Sequence, residues 1–248
     1  MPRDWDAATY DRVADPQTRW GRAVLERLPL TGIETVLDAG CGSGRVTELL
    51  AERLPRGRVV ALDASPSMVA EARRRLGRFG DRIDYLVTDL GRPFALPGDV
   101  LVDAILSTAT FHWVLDHDAL FRNLAEVIRP GGRLVAQCGG AGNIASVMAV
   151  LGTTGDGWLG DKTFATPEAT TARLTASGFT EIQTWLQPEP TRFEPGEQLK
   201  TFLRTVILGG HLARLPARDR DAFVHEVAGR LPEPVIDYVR LNIVATRA

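Results

Sequence analysis

The feature that most constrains this sequence is a short segment at residues 36–44, where an apolar run meets an acidic residue and three glycines. It reads Val-Leu-Asp-Ala-Gly-Cys-Gly-Ser-Gly, with the glycines at positions 40, 42 and 44. Glycine tolerates sharp turns and leaves room for a ligand against the backbone. We therefore predict a strand-to-helix turn with a bulky ligand over it, a ligand-free tight connection being the alternative.

The glycine spacing differs from that of the dinucleotide-binding fingerprint, in which glycines occupy positions one, three and six. Counted from Gly40, the sixth position is Arg45. The two lysines, Lys162 and Lys200, also form no Tyr-x-x-x-Lys pair. Both observations argue against a nicotinamide oxidoreductase.

Composition limits the remaining classes of protein. A chain of 248 residues with 44% hydrophobic content can bury one large core, and a net charge of -2 without a basic stripe argues against nucleic acid as a partner. Cys41 and Cys138 form neither a disulfide framework nor a metal-ligand spacing, so we expect reduced thiols, no metal and a cytoplasmic location. No apolar run reaches the length of a membrane span, and we expect no membrane partner.

Strand and helix patterns alternate along the chain. Strand patterns occur from residue 36 and at residues 58–62, 83–87, 101–106, 133–138, 180–186 and 235–246. Strands separated by helices predict an α/β fold: a doubly wound, mostly parallel seven-stranded sheet with helices on both faces and an antiparallel C-terminal edge strand. Ser65-Pro66 and Asp116 are the expected starts of two helices, the second of which we expect to end at residues 130–132.

We interpret residues 1–248 as a single domain with four parts. These are N-terminal lid helices at 1–30, a ligand-binding core at 33–138, a flexible glycine-rich segment at 139–161 and a helical insertion at 195–231.

Polar residues follow four consecutive strands, and the carboxyl ends of parallel strands share one edge of a sheet. Asp63 stands where a carboxylate can accept both hydroxyls of a ribose, although a surface turn is the alternative. Asp89 is suited to the amino group of an adenine, and Met68 either covers that ring or belongs to the core. Asp38 and Ser107 end the other two strands.

The glycine turn resembles the first motif of class I S-adenosylmethionine-dependent methyltransferases. The resemblance covers most of the chain and narrows to the trans-aconitate methyltransferase-like group of small-molecule enzymes. It rests on Trp5, Tyr10, Arg19, residues 36–44, residues 62–66 and Phe111-His112-Trp113 before Asp116-His117.

That resemblance implies S-adenosyl-L-methionine as cofactor and S-adenosyl-L-homocysteine as product. In that group the segment corresponding to residues 5–19 lies over the cofactor, which assigns Tyr10 to a lid and Arg19 to the cofactor's carboxylate. The expected cofactor-binding residues are Tyr10, Arg19, Asp38, Gly40, Gly42, Gly44, Asp63, Ala64, Met68, Asp89, Leu90 and Ser107.

The acceptor region departs from the family pattern, because His112 replaces a usual glutamine and Leu115 a common proline. A carboxylate acceptor would need no general base, whereas a hydroxyl, amine or carbon acid would make His112 the first candidate. Alternatively, His112 only forms a hydrogen bond. We take His112 and Trp113 as the catalytic candidates and His117 as structural. Weaker acceptor-site candidates are Phe111, Trp20, Trp158, His211, Arg204 and Arg214.

We therefore predict a small-molecule methyltransferase, with O-methylation of a carboxylic acid as the leading chemistry. One alternative is O-, N- or C-methylation of another metabolite with His112 as base. The other is a cofactor-binding sensor or partner subunit without catalysis. We expect a monomer or homodimer with a small-molecule acceptor.

Overall fold

The computed structural model describes the backbone of residues 15–248 and the side chains from Arg19 onward, so Trp5 and Tyr10 lie outside the described residues. The strands are β1 (Thr35–Ala39), β2 (Arg58–Asp63), β3 (Ile83–Val87), β4 (Val102–Thr108), β5 (Ile128–Gly139), β6 (Phe179–Pro188), β7 (Thr191–Arg192), β8 (Val235–Ile236) and β9 (Val239–Arg247). Seven of them form one sheet in the order β3-β2-β1-β4-β5-β9-β6, and β7 pairs with β8. Strands β1 to β5 are mutually parallel, as predicted, and β9 is antiparallel to both of its neighbours.

Helices cover the two faces of the sheet and one end of it. They are α1 (Asp15–Glu26), α2 (Arg45–Glu52), α3 (Pro66–Leu76), α4 (His117–Val127), α5 (Ala145–Leu151), α6 (Pro167–Ala176), α7 (Glu197–Phe202), α8 (Gly209–Arg214) and α9 (Arg220–Arg230), with a π turn at Leu203–Ile207. Each face of the sheet buries its own apolar cluster against these helices. Within residues 15–248, every helix is too short or too polar to cross a bilayer.

The two predicted helix starts are confirmed. The Ser65 hydroxyl accepts a hydrogen bond from the Met68 N–H at 3.3 Å, with Pro66 in the first turn, and Asp116 Oδ1 accepts from the Ala119 N–H at 2.8 Å. These side chains satisfy N–H groups that a helix leaves without an internal partner. Both helices therefore begin beside the carboxyl ends of strands, where their first turns face the candidate site.

The prediction that the C-terminal strand forms the edge of the sheet is wrong. The C-terminal pattern at 235–246 divides into β8 and β9, and β9 lies inside the sheet while β6 forms the edge. The physical reason is burial, because the middle of β9 is buried on both faces, whereas the side chains of β6 alternate between partly covered and exposed. Helix α4 also ends at Val127, before the predicted stop at residues 130–132, and β5 begins directly after it.

The segments at 139–161 and 195–231 pack together beyond the carboxyl ends of the strands. They share an apolar cluster that includes Val147 from α5, Leu203 from the π turn and Val224 from α9, closed by Trp20 of α1 and Tyr238. The predicted flexibility of residues 139–161 stays a prediction. Together these segments form a helical wall over one half of the sheet edge.

A buried polar cluster joins α1 to the centre of the sheet. Asn242 of β9 is fully buried, and its Oδ1 accepts hydrogen bonds from the Arg27 guanidinium and from Gln137 Nε2, the latter at 2.8 Å. One amide oxygen thus satisfies a donor of Arg27, which directly follows α1, and a donor of Gln137 in β5. The cluster holds β9 in register, and β9 carries Arg240 toward the candidate site.

Asn242→Ala should lower the free energy of unfolding by about 2–4 kcal/mol, because the substitution leaves the partly buried Arg27 guanidinium and the buried Gln137 amide without their acceptor. Urea unfolding at neutral pH measures this value. Gln183→Ala, on the edge strand β6, is the control and should change stability by less than about 0.5 kcal/mol. Equal effects of the two substitutions would contradict the role assigned to Asn242.

Candidate functional site

A cavity of about 580 Å³ opens at the carboxyl ends of β1, β2, β3 and β4 and extends under the helical wall. The size is in the range of small-molecule sites, and the position is the one expected for a ligand of a parallel sheet. Most of the predicted site residues line this cavity. They are Gly40, Gly42, Asp63, Ala64, Met68, Asp89, Leu90, His112 and Trp113.

The glycine turn is fastened to the end of β2 by three consecutive N–H groups. Those of Gly40 and Cys41 donate to the Leu62 carbonyl oxygen at 2.8 Å, and that of Gly42 donates to Asp63 Oδ2 at 2.9 Å. Asp63 Oδ1 accepts from the Ser65 N–H at 2.9 Å. The carboxylate of Asp63 therefore ties the turn to the start of α3 while it lines the cavity.

The glycines of the turn are required for different reasons. Among the residues that the structure describes, a Cβ on Gly42 would meet no atom within 4 Å and Gly42 lines the cavity, whereas a Cβ on Gly40 would collide with Thr110. Gly44 does not line the cavity, and a Cβ there would lie 3.2 Å from Ala72 of α3. The described residues thus leave room for a ligand at Gly42, whereas position 44 requires glycine because α3 packs closely against it.

Asp38 and Ser107 are not among the described residues that line the cavity, and their predicted contact with the cofactor stays a prediction. Asp38 is 1% exposed and accepts a hydrogen bond from the Thr47 hydroxyl at 2.6 Å, and the Ser107 hydroxyl donates to the Ala39 carbonyl oxygen at 2.6 Å. Burial is the main cause that raises the pKa of Asp38 to about 7. Both side chains stabilise strand ends from behind the turn.

Tyr10 and Arg19 are the two N-terminal residues that we predicted to contact the cofactor. The Arg19 side chain is exposed, lies 3.8 Å from Glu189 and is not among the residues that line the cavity. Its position on α1 directs it to the connection that follows β6. Tyr10 lies outside the described residues.

His112 is buried in the cavity wall, and its hydrogen bond identifies its tautomer. Nδ1 accepts from the Gly139 N–H at 3.3 Å, so the proton of the neutral ring is on Nε2. Burial lowers the pKa of His112 well below its usual value, and the charges of Arg240, Lys162 and His117 lower it further. The ring is therefore a neutral hydrogen-bond donor and a weak base. His117 lies outside the cavity lining, with Nε2 3.0 Å from the Phe111 carbonyl oxygen, and its structural role stays a prediction.

Two cationic residues that the sequence analysis did not select also line the cavity. Lys162 Nζ lies 5.0 Å from the centre of the Trp113 ring and donates to the Ile207 carbonyl oxygen at 3.3 Å. Arg240 is 2% exposed, with its guanidinium 4.6 Å from the Trp20 ring centre. Arg240 lies in β9, which also carries Asn242, Thr246 and Arg247, so its charge alone gave no sequence signal for the site.

Of the weaker candidates for the acceptor site, some line the cavity and the others do not. Trp158 and His211 line the cavity, whereas Phe111 packs edge-on against Phe121 in the core and Trp20 packs against Tyr238. Arg204 and Arg214 are outside the cavity lining and form ion pairs with Asp221 and Asp156, respectively. Ion pairing on the exposed surface explains why neither arginine is part of the site.

Residues 36–132 match the model of a family described as "Methyltransferase domain". The chain is 39% identical over 134 residues to a trans-aconitate 2-methyltransferase of Methylobacterium nodulans, a match that covers 54% of this chain and 49% of that protein. It is 40% identical over 133 residues to the enzyme of the same name from Azoarcus sp., covering 54% and 50%, respectively. The chain thus spans about half the length of the curated relatives it matches.

Solved structures share the fold over nearly the whole chain. Phosphoethanolamine N-methyltransferase 2 of Haemonchus contortus, in complex with phosphomonomethylethanolamine and S-adenosylhomocysteine, is 19% identical with a TM-score of 0.66 over 97% of this chain and 56% of that one. The cyclase SpnF is 21% identical with a TM-score of 0.61 over 93% and 81%. At these identities the likeness establishes the fold alone, and a cyclase shares it.

Asp38→Asn should remove a pH-dependent loss of stability. The folded-state pKa of about 7 lies above the unfolded value, so the proton on Asp38 stabilises the folded protein at low pH, and this contribution is lost as the pH rises through 7. The variant should therefore gain about 2 kcal/mol relative to wild type between pH 5.5 and 8.5, measured by urea unfolding. The exposed substitution Asp81→Asn is the control. An identical pH dependence for Asp38→Asn and wild type would contradict this assignment.

Proposed function

We propose that this chain, which matches a methyltransferase domain over residues 36–132, transfers the methyl group of S-adenosylmethionine to a small carboxylic acid. The main support is the composition of the cavity. One half is built by the glycine turn and the acidic strand ends, and the other half contains two cations, a neutral imidazole donor and an indole ring.

The first half suits the cofactor. Gly42 and Asp63 both line the cavity, and the carboxylate of Asp63 would accept hydrogen bonds from the ribose hydroxyls. Asp89, whose Oδ1 accepts from the Gly91 N–H at 2.9 Å, would accept from the adenine amino group. Met68 and Leu90 are buried beside them and would cover the adenine ring.

The second half suits an anionic acceptor. Lys162 and Arg240 would bind a carboxylate, and the charge of each side chain would favour the ionised form of the acid. His112 would donate from Nε2 to a carboxylate oxygen, and Trp113 would provide an apolar wall. These groups hold and orient the acceptor, which is what an in-line transfer requires of the protein.

A carboxylate acceptor also agrees with the weak basicity of His112. Bound S-adenosylmethionine would supply an activated methyl group, so an ionised carboxylate would need only alignment and removal of water. A hydroxyl, amine or carbon acid would need a base, whereas the ring of His112 accepts the Gly139 N–H at Nδ1 and has a strongly lowered pKa. The names of the relatives, which specify trans-aconitate, support the same class of acceptor.

Calorimetry and transfer of a radiolabelled methyl group test the proposal together. Wild type should bind S-adenosylmethionine and methylate at least one member of a panel of small carboxylic acids. No binding of S-adenosylmethionine or S-adenosylhomocysteine would overturn the proposal. Tight cofactor binding with no turnover on acids, phenols or amines would instead favour a cofactor-binding sensor or partner subunit.

Asp63→Ala should weaken S-adenosylmethionine binding by about 2–4 kcal/mol, because it removes hydrogen bonds from a charged acceptor and the support of the glycine turn. Isothermal titration calorimetry measures the dissociation constant. Asp81→Ala, on the exposed surface, should bind like wild type. An unchanged affinity in a folded Asp63→Ala protein would contradict the role of Asp63.

Lys162→Met should raise the KM for an acidic acceptor by about tenfold to a hundredfold, the loss expected for a hydrogen bond between charged groups. The dissociation constant of S-adenosylmethionine should stay unchanged, because Lys162 belongs to the acceptor half. Lys200→Met is a matched control, since Lys200 pairs with Glu197 outside the cavity lining. A parallel loss of cofactor affinity would show that Lys162 does not act on the acceptor.

A further inference from the structure

The helical wall lines the cavity without any charged side chain. Its two polar side chains in the lining, Asn143 and His211, are buried and form hydrogen bonds within the protein. Asn143 Oδ1 accepts from the Val239 N–H at 3.0 Å, and His211 Nε2 lies 2.8 Å from the Trp158 carbonyl oxygen. The remaining lining side chains of the wall are apolar or aromatic, namely Ile144, Trp158, Val206 and Ile207. The wall therefore offers a ligand mainly apolar surface.

Close packing fixes two aromatic rings in this part of the cavity. A Cβ on Gly210 would lie 3.3 Å from Trp158 Cη2, so this ring lies directly against α8. Phe164 stacks on His112 with the ring centres 6.0 Å apart, and a Cβ on Gly139 would lie 2.8 Å from Phe164 Cε1. Rings that are fixed before a ligand arrives lose little freedom on binding, so they favour an apolar group of the ligand.

The two cations of the acceptor half lie beside His112. Lys162 Nζ is 5.0 Å from the centre of the Trp113 ring, which in turn is 5.1 Å from the centre of the His112 ring. Arg240 pairs with Gly139 across β9 and β5, and the Gly139 N–H donates to His112 Nδ1. A carboxylate placed next to His112 would therefore have both cations nearby.

A second carboxylate on the ligand would find no cation on the helical wall. Among the described residues, the other cation in the cavity lining is Arg92, which lies 4.0 Å from Asp89 in the half beside the glycine turn. Arg214 packs on the Trp158 ring at 4.3 Å, but it is outside the lining and pairs with Asp156. Transfer of a charged group from water to an apolar surface is costly without a partner. The wall thus disfavours an acid whose second carboxylate reaches it.

Two exposed anions act in the same direction. Asp161, next to Lys162 in the sequence, and Asp116, which caps α4, both line the cavity. Each of them would repel a further negative charge placed close to it. The described charges therefore favour a ligand with one carboxylate, bound beside the cations.

Building on the proposed function, we propose that the acid methylated by this protein is a monocarboxylic acid with an apolar body. Its carboxylate lies beside His112, Lys162 and Arg240, and its apolar body lies against Trp158, Phe164 and Val206. The last three residues are then specificity-determining residues that select such acids over dicarboxylic and tricarboxylic acids. They take no part in the transfer of the methyl group.

Matched acids test this inference. Butanoate, octanoate, octanedioate and tricarballylate are compared by calorimetry at neutral pH on protein saturated with S-adenosylhomocysteine. Octanoate should bind about tenfold or more tightly than butanoate, because each buried methylene contributes about a threefold to fourfold gain. It should also bind about tenfold or more tightly than octanedioate, which has to place a charge on the wall. Equal binding of butanoate and octanoate, or binding of octanedioate or tricarballylate as tight as that of octanoate, would overturn the inference.

Val206→Arg is the decisive variant, because it adds a cation to the apolar wall. It should shift the ratio of the octanoate and octanedioate affinities by about tenfold or more toward the diacid. Val100→Arg is the matched control, since Val100 is exposed and outside the cavity lining, and it should keep the wild-type ratio. An unchanged ratio in folded Val206→Arg protein would contradict the inference.

Trp158→Ala tests the same surface without adding a charge, and it serves also if Val206→Arg does not fold. It should weaken octanoate binding by about fivefold or more and leave butanoate binding within about twofold. Trp185→Ala, which removes a half-buried tryptophan of β6 outside the cavity lining, should bind both acids like wild type. No loss in Trp158→Ala, or an equal loss for both acids, would show that Trp158 does not bind the apolar body and would overturn the inference.

Methyl transfer to the same acids separates the two hypotheses. Methylation of octanedioate or tricarballylate as efficiently as octanoate by wild type would leave the proposed function intact and overturn the inference about the apolar wall. If none of these acids binds or accepts a methyl group although S-adenosylmethionine binds, the carboxylate assignment fails and the inference fails with it.

Discussion

The candidate site depends on the attachment of the glycine turn to the end of β2. Leu62 and Asp63 together accept three consecutive N–H groups of the turn, and the second oxygen of Asp63 accepts the Ser65 N–H. Buried backbone donors need such partners, and here one carboxylate supplies two of them while it lines the cavity. The same charge therefore sets the shape of the turn and offers acceptors to a ligand.

Charge and burial divide the cavity into two unlike halves. Asp63 and Asp89 give the strand ends acceptor groups, whereas Lys162 and Arg240 make the opposite half cationic. Arg240 is held against the Trp20 ring, so the position of a buried cation depends on a tryptophan of α1 that is outside the cavity lining. The cations also help to keep the neighbouring His112 neutral, which favours binding of an anion over proton removal.

Much of the fold could be predicted from local patterns. Strand β3 has the predicted bounds, and Ser65 and Asp116 cap their helices as expected, because these features depend on neighbouring residues alone. The order of the last strands could not be predicted in the same way. The position of β9 between β5 and β6 depends on pairing across large sequence separations, and the helical pattern before it carries no information on that pairing.

The residues of the candidate site also divide into those that local sequence predicts and those that only the packing of distant segments brings together. The sequence by itself determined the residues of the glycine turn and the strand ends, such as Gly42, Asp63 and Asp89. The carboxyl ends of parallel strands lie at the same edge of the sheet, so these residues come together whatever the packing of the helices. Only the tertiary structure decided that Asp38 and Ser107 lie behind the turn, and that Lys162, His211 and Arg240 meet in one cavity. Those residues come from distant segments, and the tautomer of His112 depends on the Gly139 N–H group that packing brings beside it.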